Sequence, residues 1–155
     1  MNKTKILKAV IAELERELRR QMAANESASA GATHGEAKAE TKWDTCGLEQ
    51  SYLARGHAQQ FAALAMQVEE LRMFTPPDFA GKPIGTGALV EAEMGGERML
   101  FFLLKGGGGV EVEVDAREVS VITGESPVGA ALLDKKQGGT YSFRVGAEGR
   151  ILRVE

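Results

Sequence analysis

The residues of this chain best suited to chemistry lie together in 25–52, NESASAGATHGEAKAETKWDTCGLEQSY. Glu26, Glu36, Glu40, Asp44 and Glu49 stand there against Lys38 and Lys42, so five acids less two bases leave a charge of −3. Glu36, Glu40 and Asp44 recur at four-residue spacing, which aligns side chains on one face wherever the backbone is helical. Carboxylates so placed suit a hard cation. Mg2+ keeps several waters, so one or two protein acids suffice when a partner supplies the other ligands. Glu36, Glu40 and Asp44 are therefore the candidate catalytic residues, and Glu40 and Asp44 the candidate Mg2+ ligands. Glu49 lies further into the following helix and is the weaker choice. The competing reading is that these acids solvate a loop and that Asp44 caps a helix.

The other reactive side chains offer less. His34 and Cys46 flank the same acids, but no CxxC or HxxxH spacing supports a structural metal, which takes three or four ligands in defined geometry. Cys46 as a nucleophile would need a thiolate-stabilising neighbour, such as His34 or a helix start. His57 reads as a packed or hydrogen-bonded histidine. Lys105-Gly106-Gly107-Gly108-Gly109 lacks the Gly-Lys-Ser/Thr ending and the following helix of a phosphate loop. Ile84-Gly85-Thr86-Gly87 lacks the third glycine of a dinucleotide fingerprint; both runs read as turns. No Ser/His/Asp arrangement is suggested by two histidines that share one half of the chain.

Two helical patterns flank the acidic stretch. In 2–25, Leu7, Ile11, Leu14, Leu18 and Met22 follow steps of four and three, the stripe of a coiled-coil seam. Glu13, Glu15, Glu17, Arg16, Arg19 and Arg20 fill the other faces, a solvated surface with pairs at helical spacing. Residues 27–40 then break the pattern with Ser27, Ser29, Gly31, Thr33 and Gly35, although the alanines between them let the helix fray forward. A second helix is expected from about Lys42 to Met73, with Thr41 as N-cap. Leu53, Phe61, Leu64, Val68 and Leu71 form its stripe, and Gly56 suggests a close approach of the first helix. Thr75-Pro76-Pro77 ends it, because proline lacks the amide donor and clashes with the preceding turn. Two such helices joined by a polar segment predict an antiparallel hairpin. About thirty helical residues span about 45 Å. The expected divisions are a helical hairpin over 1–75 with its acidic tip at about 26–44, a linker over 76–83, and a globular part over 84–155.

From Ile84 the period becomes alternating. Gly85–Glu93 and Arg98–Lys105 read as strands about a turn at 94–97, and Val110, Val112 and Val114 alternate with Glu111, Glu113 and Asp115 as a half-buried strand. Arg117–Ile122 continues in that style. Ser126-Pro127 opens a short helix to Leu133, with serine as N-cap and proline at the first helical position. Thr140–Val145 and Arg150–Val154 close the chain as a hairpin about Gly146–Gly149. The predicted class is α+β: a helical hairpin followed by a small antiparallel sheet with one short helix.

The totals set bounds. The chain has 155 residues and a net charge of −3, which disfavours non-specific binding to nucleic acid or anionic membrane. No apolar run approaches the ~20 residues of a membrane span. The first twenty residues lack the uninterrupted apolar core of a signal peptide. One cysteine permits no intrachain disulfide. A cytoplasmic protein that does not engage membrane is expected.

Ser126-Pro127-Val128-Gly129-Ala130-Ala131-Leu132-Leu133-Asp134-Lys135-Lys136-Gln137-Gly138 resembles the C-terminal signature of Gre-type bacterial transcription elongation factors, Ser-Pro-x-Gly-x-Ala-Leu-Leu-x-Lys-Lys-x-Gly. Val119-Ser120-Val121-Ile122 fits the preceding strand, and Ile84-Gly85 the opening of that domain. The order of parts agrees, a helical hairpin and then a domain similar to the FKBP fold. The resemblance implies docking of the globular domain on RNA polymerase at the rim of its secondary channel, with Ser126, Pro127, Gly129, Lys135 and Lys136 as candidate partner-binding residues. It further implies entry of the hairpin into the channel. There Mg2+ would be held jointly by the tip acids and the polymerase, and the polymerase would cleave backtracked RNA near its 3′ end. On this reading the protein is not itself an enzyme and acts as a monomer.

The tip departs from the family. Classical members carry Gly-Asp-Leu-x-Glu-Asn-Ala-Glu-Tyr, whereas this chain has Trp43-Asp44-Thr45-Cys46-Gly47-Leu48-Glu49-Gln50-Ser51-Tyr52. The position four before Tyr52 is Leu48, and the Asp–Glu spacing is five instead of three. A regulator that occupies the channel without promoting cleavage is therefore the alternative. A prolyl isomerase rests on fold analogy alone, with Phe101, Phe102, Tyr141 and Phe143 as its few aromatic candidates. A coiled-coil dimerisation module is the remaining possibility.

Overall fold

In the computed structural model, the backbone is described for residues 1–33 and 46–155, and side chains for 1–27 and 55–155. The first helix, α1, spans Lys3–Thr33 and the second, α2, Cys46–Met73. Asn2 starts α1, its Oδ1 accepting from Lys5 N at 3.1 Å, which satisfies one of the free amides of a helix start. The helix runs past the expected break at residue 27. Ala23, Ala24, Ala28, Ala30 and Ala32 have the highest helix propensity, and they outweigh the serines and Gly31 between them. The expected start of α2 at Lys42 with its Thr41 cap lies outside the described residues. Its end agrees with expectation: Phe74 N still bonds Leu71 O at 3.2 Å, and Pro76 and Pro77 follow.

The contacts divide the chain into two compact units, one of Leu14–Glu69 and one of Met1–Glu13 with Glu70–Glu155. The first is the two-helix body. Leu14 and Val68 are buried in it, while Leu18, Phe61 and Leu64 are half-buried. Met22, expected on the seam, is 53 % exposed. Gly56 has nothing within 4 Å of where a Cβ would stand, so the expected close approach of α1 does not occur there.

The second unit is built on a six-stranded sheet among the described residues, ordered β3-β4-β2-β1-β6-β5. Its strands are β1 (Leu89–Met94), β2 (Glu97–Leu103), β3 (Glu111–Val114), β4 (Arg117–Ile122), β5 (Thr140–Arg144) and β6 (Ala147–Val154). All neighbours pair antiparallel except β2 and β4, which run parallel with Phe102 beside Val121. The strand expected from Gly85 begins at Leu89, because Ala88 N folds back to Gly85 O in a turn. The closing turn is tighter than expected, with β6 already under way at Ala147.

Three hairpins turn on two residues each, the closing one on Val145 and Gly146. Gly95 and Gly96 both have positive φ, as the favoured two-residue hairpin turn requires. At the β3–β4 turn the same places are taken by Asp115 (φ 53°) and Ala116 (φ 58°), without glycine.

Alternation along the strands gives the sheet two faces. One buries Ile84, Val90, Ala92, Met94, Phe101, Leu103, Ile122, Tyr141, Ile151 and Val154 with Leu132 of α3, the short helix Pro127–Leu132. The register puts Leu89, Leu100, Phe102 and Val121 on the other face, and all four are buried. The first turns of α1 belong to this unit and contribute Ile6, Leu7 and Val10, with Ile6 and Val10 fully buried. Of the stripe expected from sequence, Leu7 is buried there as expected, whereas Ile11 is only half-buried and Ile6 and Val10 lie off that stripe. A single seam cannot describe a helix whose start packs in one unit and whose remainder packs in another.

Candidate partner-binding site

The site begins where β4 ends. Thr123 O accepts from Ser126 N at 3.0 Å and from Ser126 Oγ at 2.8 Å, which closes a turn. Ser126 has extended backbone (φ −70°, ψ 152°), and its Oγ accepts from Gly129 N at 3.1 Å, so it is the N-cap of α3 as expected. Pro127 occupies the first helical turn, where a missing amide costs nothing. Gly129 is buried against the turn: a Cβ there would stand 1.9 Å from Thr123 O. Leu133 is the C-cap, so α3 ends one residue earlier than expected.

Beyond α3, Asp134 takes a positive φ of 63° and reverses the chain. Its amide bonds Ile84 O at 3.0 Å, and Ile84 N bonds Lys135 O at 2.8 Å. Lys136 O accepts from Gly139 N at 3.0 Å. The backbones of both lysines are thus fixed while their side chains are exposed, and neither ammonium makes an ion pair among the described residues. Leu132 is fully buried and Leu133 is 39 % exposed, so consecutive leucines serve opposite ends, one the core and one the surface. The structure brings Ser126, Pro127, Gly129, Lys135 and Lys136 into one continuous loop–helix–loop. Of these, Ser126 and Gly129 face inward to the fold, and Lys135 and Lys136 present cations outward.

Sequence reading missed a second set of contacts, at the start of α1. Lys3 Nζ donates to Pro77 O, and to Gly87 O at 3.2 Å, and sits 5.3 Å from the centroid of the Phe79 ring. Burial lowers the Lys3 pKa from its ordinary value, against the opposing pull of Asp78 and Glu155. Lys5 pairs with Asp115 at the β3–β4 turn. The Met1 ammonium meets Glu155 at 2.7 Å, and Arg153 pairs with the same carboxylate. Burial pushes the Glu155 carboxyl up, but these cations together draw it below its usual range. Neither lysine belongs to a motif, and their partners are more than seventy residues away in sequence.

Glu36, Glu40 and Asp44 lie outside the described residues, as does His34. Cys46 and Glu49 fall in α2, but their side chains are not described. No group of three or more His, Cys, Asp or Glu able to hold a metal occurs among the described residues. No helix among them is long and apolar enough to cross a membrane.

Solved structures are similar to this chain over nearly its whole length. GreA factor homolog 1 (Gfh1) of Thermus thermophilus is 22 % identical, with a TM-score of 0.38 and 96 % of each chain covered. A second structure, of the transcription factor Gfh1, is 23 % identical with a TM-score of 0.40, covering 95 % of this chain and 94 % of that one. Gfh1 of Thermus aquaticus is 21 % identical with a TM-score of 0.39 and the same coverage. No family model matches the chain, and no curated protein matches it.

Proposed function

We propose that this chain is a transcription elongation factor of the Gre type that binds RNA polymerase at its secondary channel. The observation that carries the reading is the 126–138 segment. Its match to the Gre signature is accompanied by a structural reason for its serine, its proline and its first glycine, and it leaves Leu133, Lys135 and Lys136 outward. Two long helices flanking the acidic stretch, followed by the sheet, supply the order of parts that the reading needs.

The finer proposal is that Glu36, Glu40 and Asp44 act at the polymerase site, with Glu40 and Asp44 sharing Mg2+ with the polymerase. Carboxylate oxygens are the donor type that this hard cation prefers. Bound there, the ion would supply charge stabilisation and an activated water for RNA hydrolysis. A second reading has its own support: the acids of 43–52 do not keep the family spacing. It makes the protein a regulator that occupies the channel without promoting cleavage.

The test uses a stalled, backtracked polymerase with 3′-labelled RNA and the full chain. Release of a short labelled fragment, lost when Glu36, Glu40 and Asp44 are all replaced by alanine while binding persists, supports cleavage stimulation. Binding without fragment release selects the regulator. Absence of binding, or binding that survives Lys135→Ala with Lys136→Ala undiminished, removes the docking assignment.

A further inference from the structure

Burial in the two-helix body follows a simple rule. Inward positions on antiparallel neighbours share levels whose residue numbers have a constant sum, and here Leu14 with Val68, Leu18 with Leu64, Gln21 with Phe61 and Asn25 with His57 obey it. The first level is fully buried, and the other three are half-buried. Leucine and valine occupy the first two levels. Glu15, Glu17 and Gln67 are half-buried beside them, and polar side chains take the central places themselves at the third level, with Gln21, and fill the fourth.

The polar levels are not satisfied internally. Gln21 Oε1 and Asn25 Oδ1 are both buried without a hydrogen-bond partner, although Gln21 Nε2 donates to Glu17 Oε1 at 3.2 Å. A buried acceptor left unpaired favours any opening that lets water reach it. Beside the fourth level, Gly56 is exposed and no atom of the described residues lies within 4 Å of its Cβ position, so glycine there weakens the helix without a packing return among them. Met22, one position past Gln21, already points to solvent.

We infer that the helical pair carries a built-in yielding point: at Gln21–Asn25 and Gly56–Phe61 it opens locally while the Leu14–Val68 and Leu18–Leu64 levels stay closed. This inference does not depend on what the pair is used for. Its consequence is a helical pair that is firm at its apolar levels and yields at 21–25 and 56–61. Openings of this kind occur on the seconds-to-hours scale that amide hydrogen exchange reads.

The experiment is hydrogen exchange by mass spectrometry on the full chain, comparing wild type with Gly56→Ala and, separately, Asn25→Leu. In wild type, peptides covering 20–27 and 55–61 should exchange at least tenfold faster than those covering 8–17 and 64–71. Gly56→Ala should slow the 55–61 peptides about fivefold, the propensity difference between the two residues. Asn25→Leu should slow both outer peptides about tenfold by removing one unpaired acceptor from the interior. Sheet peptides covering 89–103 should not change with either variant. Equal exchange of inner and outer peptides in wild type would overturn the inference, as would variants that slow the sheet as much as the helical pair or leave the outer peptides unchanged.

Discussion

Replacing Gly129 by alanine tests whether the 126–138 segment is held by packing. The added methyl would stand 1.9 Å from Thr123 O, 2.7 Å from Thr123 C and 2.9 Å from Ser126 Oγ, when side-chain carbons essentially never approach within 3.0 Å. Two of those atoms belong to a backbone carbonyl whose oxygen already accepts from Ser126 N and Oγ, so they cannot swing aside as a flexible side chain would. Relief requires α3 to lift from the turn. That breaks the Ser126 Oγ–Gly129 N cap, about 1 kcal/mol, and disturbs the seat of Leu132, with overpacking of about 1–3 kcal/mol. The expected loss is about 2–4 kcal/mol, out of a total near 5–15 kcal/mol for a domain. Urea unfolding of the full chain followed by far-UV circular dichroism measures it. Gly124→Ala is the control, because nothing lies within 4 Å of its Cβ position, and it should stay within about 0.5 kcal/mol of wild type. A Gly129→Ala protein as stable as wild type, or a control that falls as far, would refute the packing argument.

Two other substitutions should stabilise. Tyr141 is buried with an unpartnered hydroxyl, so Tyr141→Phe should raise stability by about 1 kcal/mol in urea unfolding. Burial also raises the Tyr141 pKa above its ordinary value near 10. At higher pH the unfolded chain therefore releases a proton that the folded chain keeps, so wild-type stability falls as pH rises through about 10. The Phe variant should lack that component between pH 9 and 11, and equal slopes for the two proteins would count against it. Ala116 holds a left-handed conformation that favours glycine, so Ala116→Gly should raise the unfolding free energy measured in urea by about 0.5–1 kcal/mol, net of the added freedom of the unfolded chain.

What could be read in the sequence was local. The Ser126 cap, the Arg117–Ile122 strand and the Gly95-Gly96 turn each depend on a few adjacent residues, and each stands where its pattern put it. Readings that required knowledge of distant neighbours went wrong. Ile6 and Val10 are buried because the start of α1 belongs to the sheet unit, which no periodicity within the helix can reveal. Gly56 was assigned a packing role, yet it faces open space. The Asp115-Ala116 turn carries no glycine, so its left-handed backbone left no mark in residue type. At the candidate site, Lys135 and Lys136 were legible through a motif. Lys3 and Lys5 carry no motif, and only the fold brings them to Pro77, Gly87 and Asp115.

The signature segment also separates fold from function. Ser126 is engaged by Thr123 and Gly129, Pro127 opens the helix, and Gly129 is excluded from any larger residue by a carbonyl, so three of the five candidate partner residues are already accounted for by folding. A chain could keep those three to build the turn and helix and still bind nothing. What remains for recognition is what folding does not use: the Lys135 and Lys136 ammonium groups and the exposed part of Leu133. The proposal that this chain docks on RNA polymerase therefore rests, for its chemistry, on a short cationic and apolar surface. Substitutions there should reduce binding without loss of stability, whereas substitutions at Gly129 should lose both together. A separation of that kind, measured on the same preparations, distinguishes a shared scaffold from a shared partner.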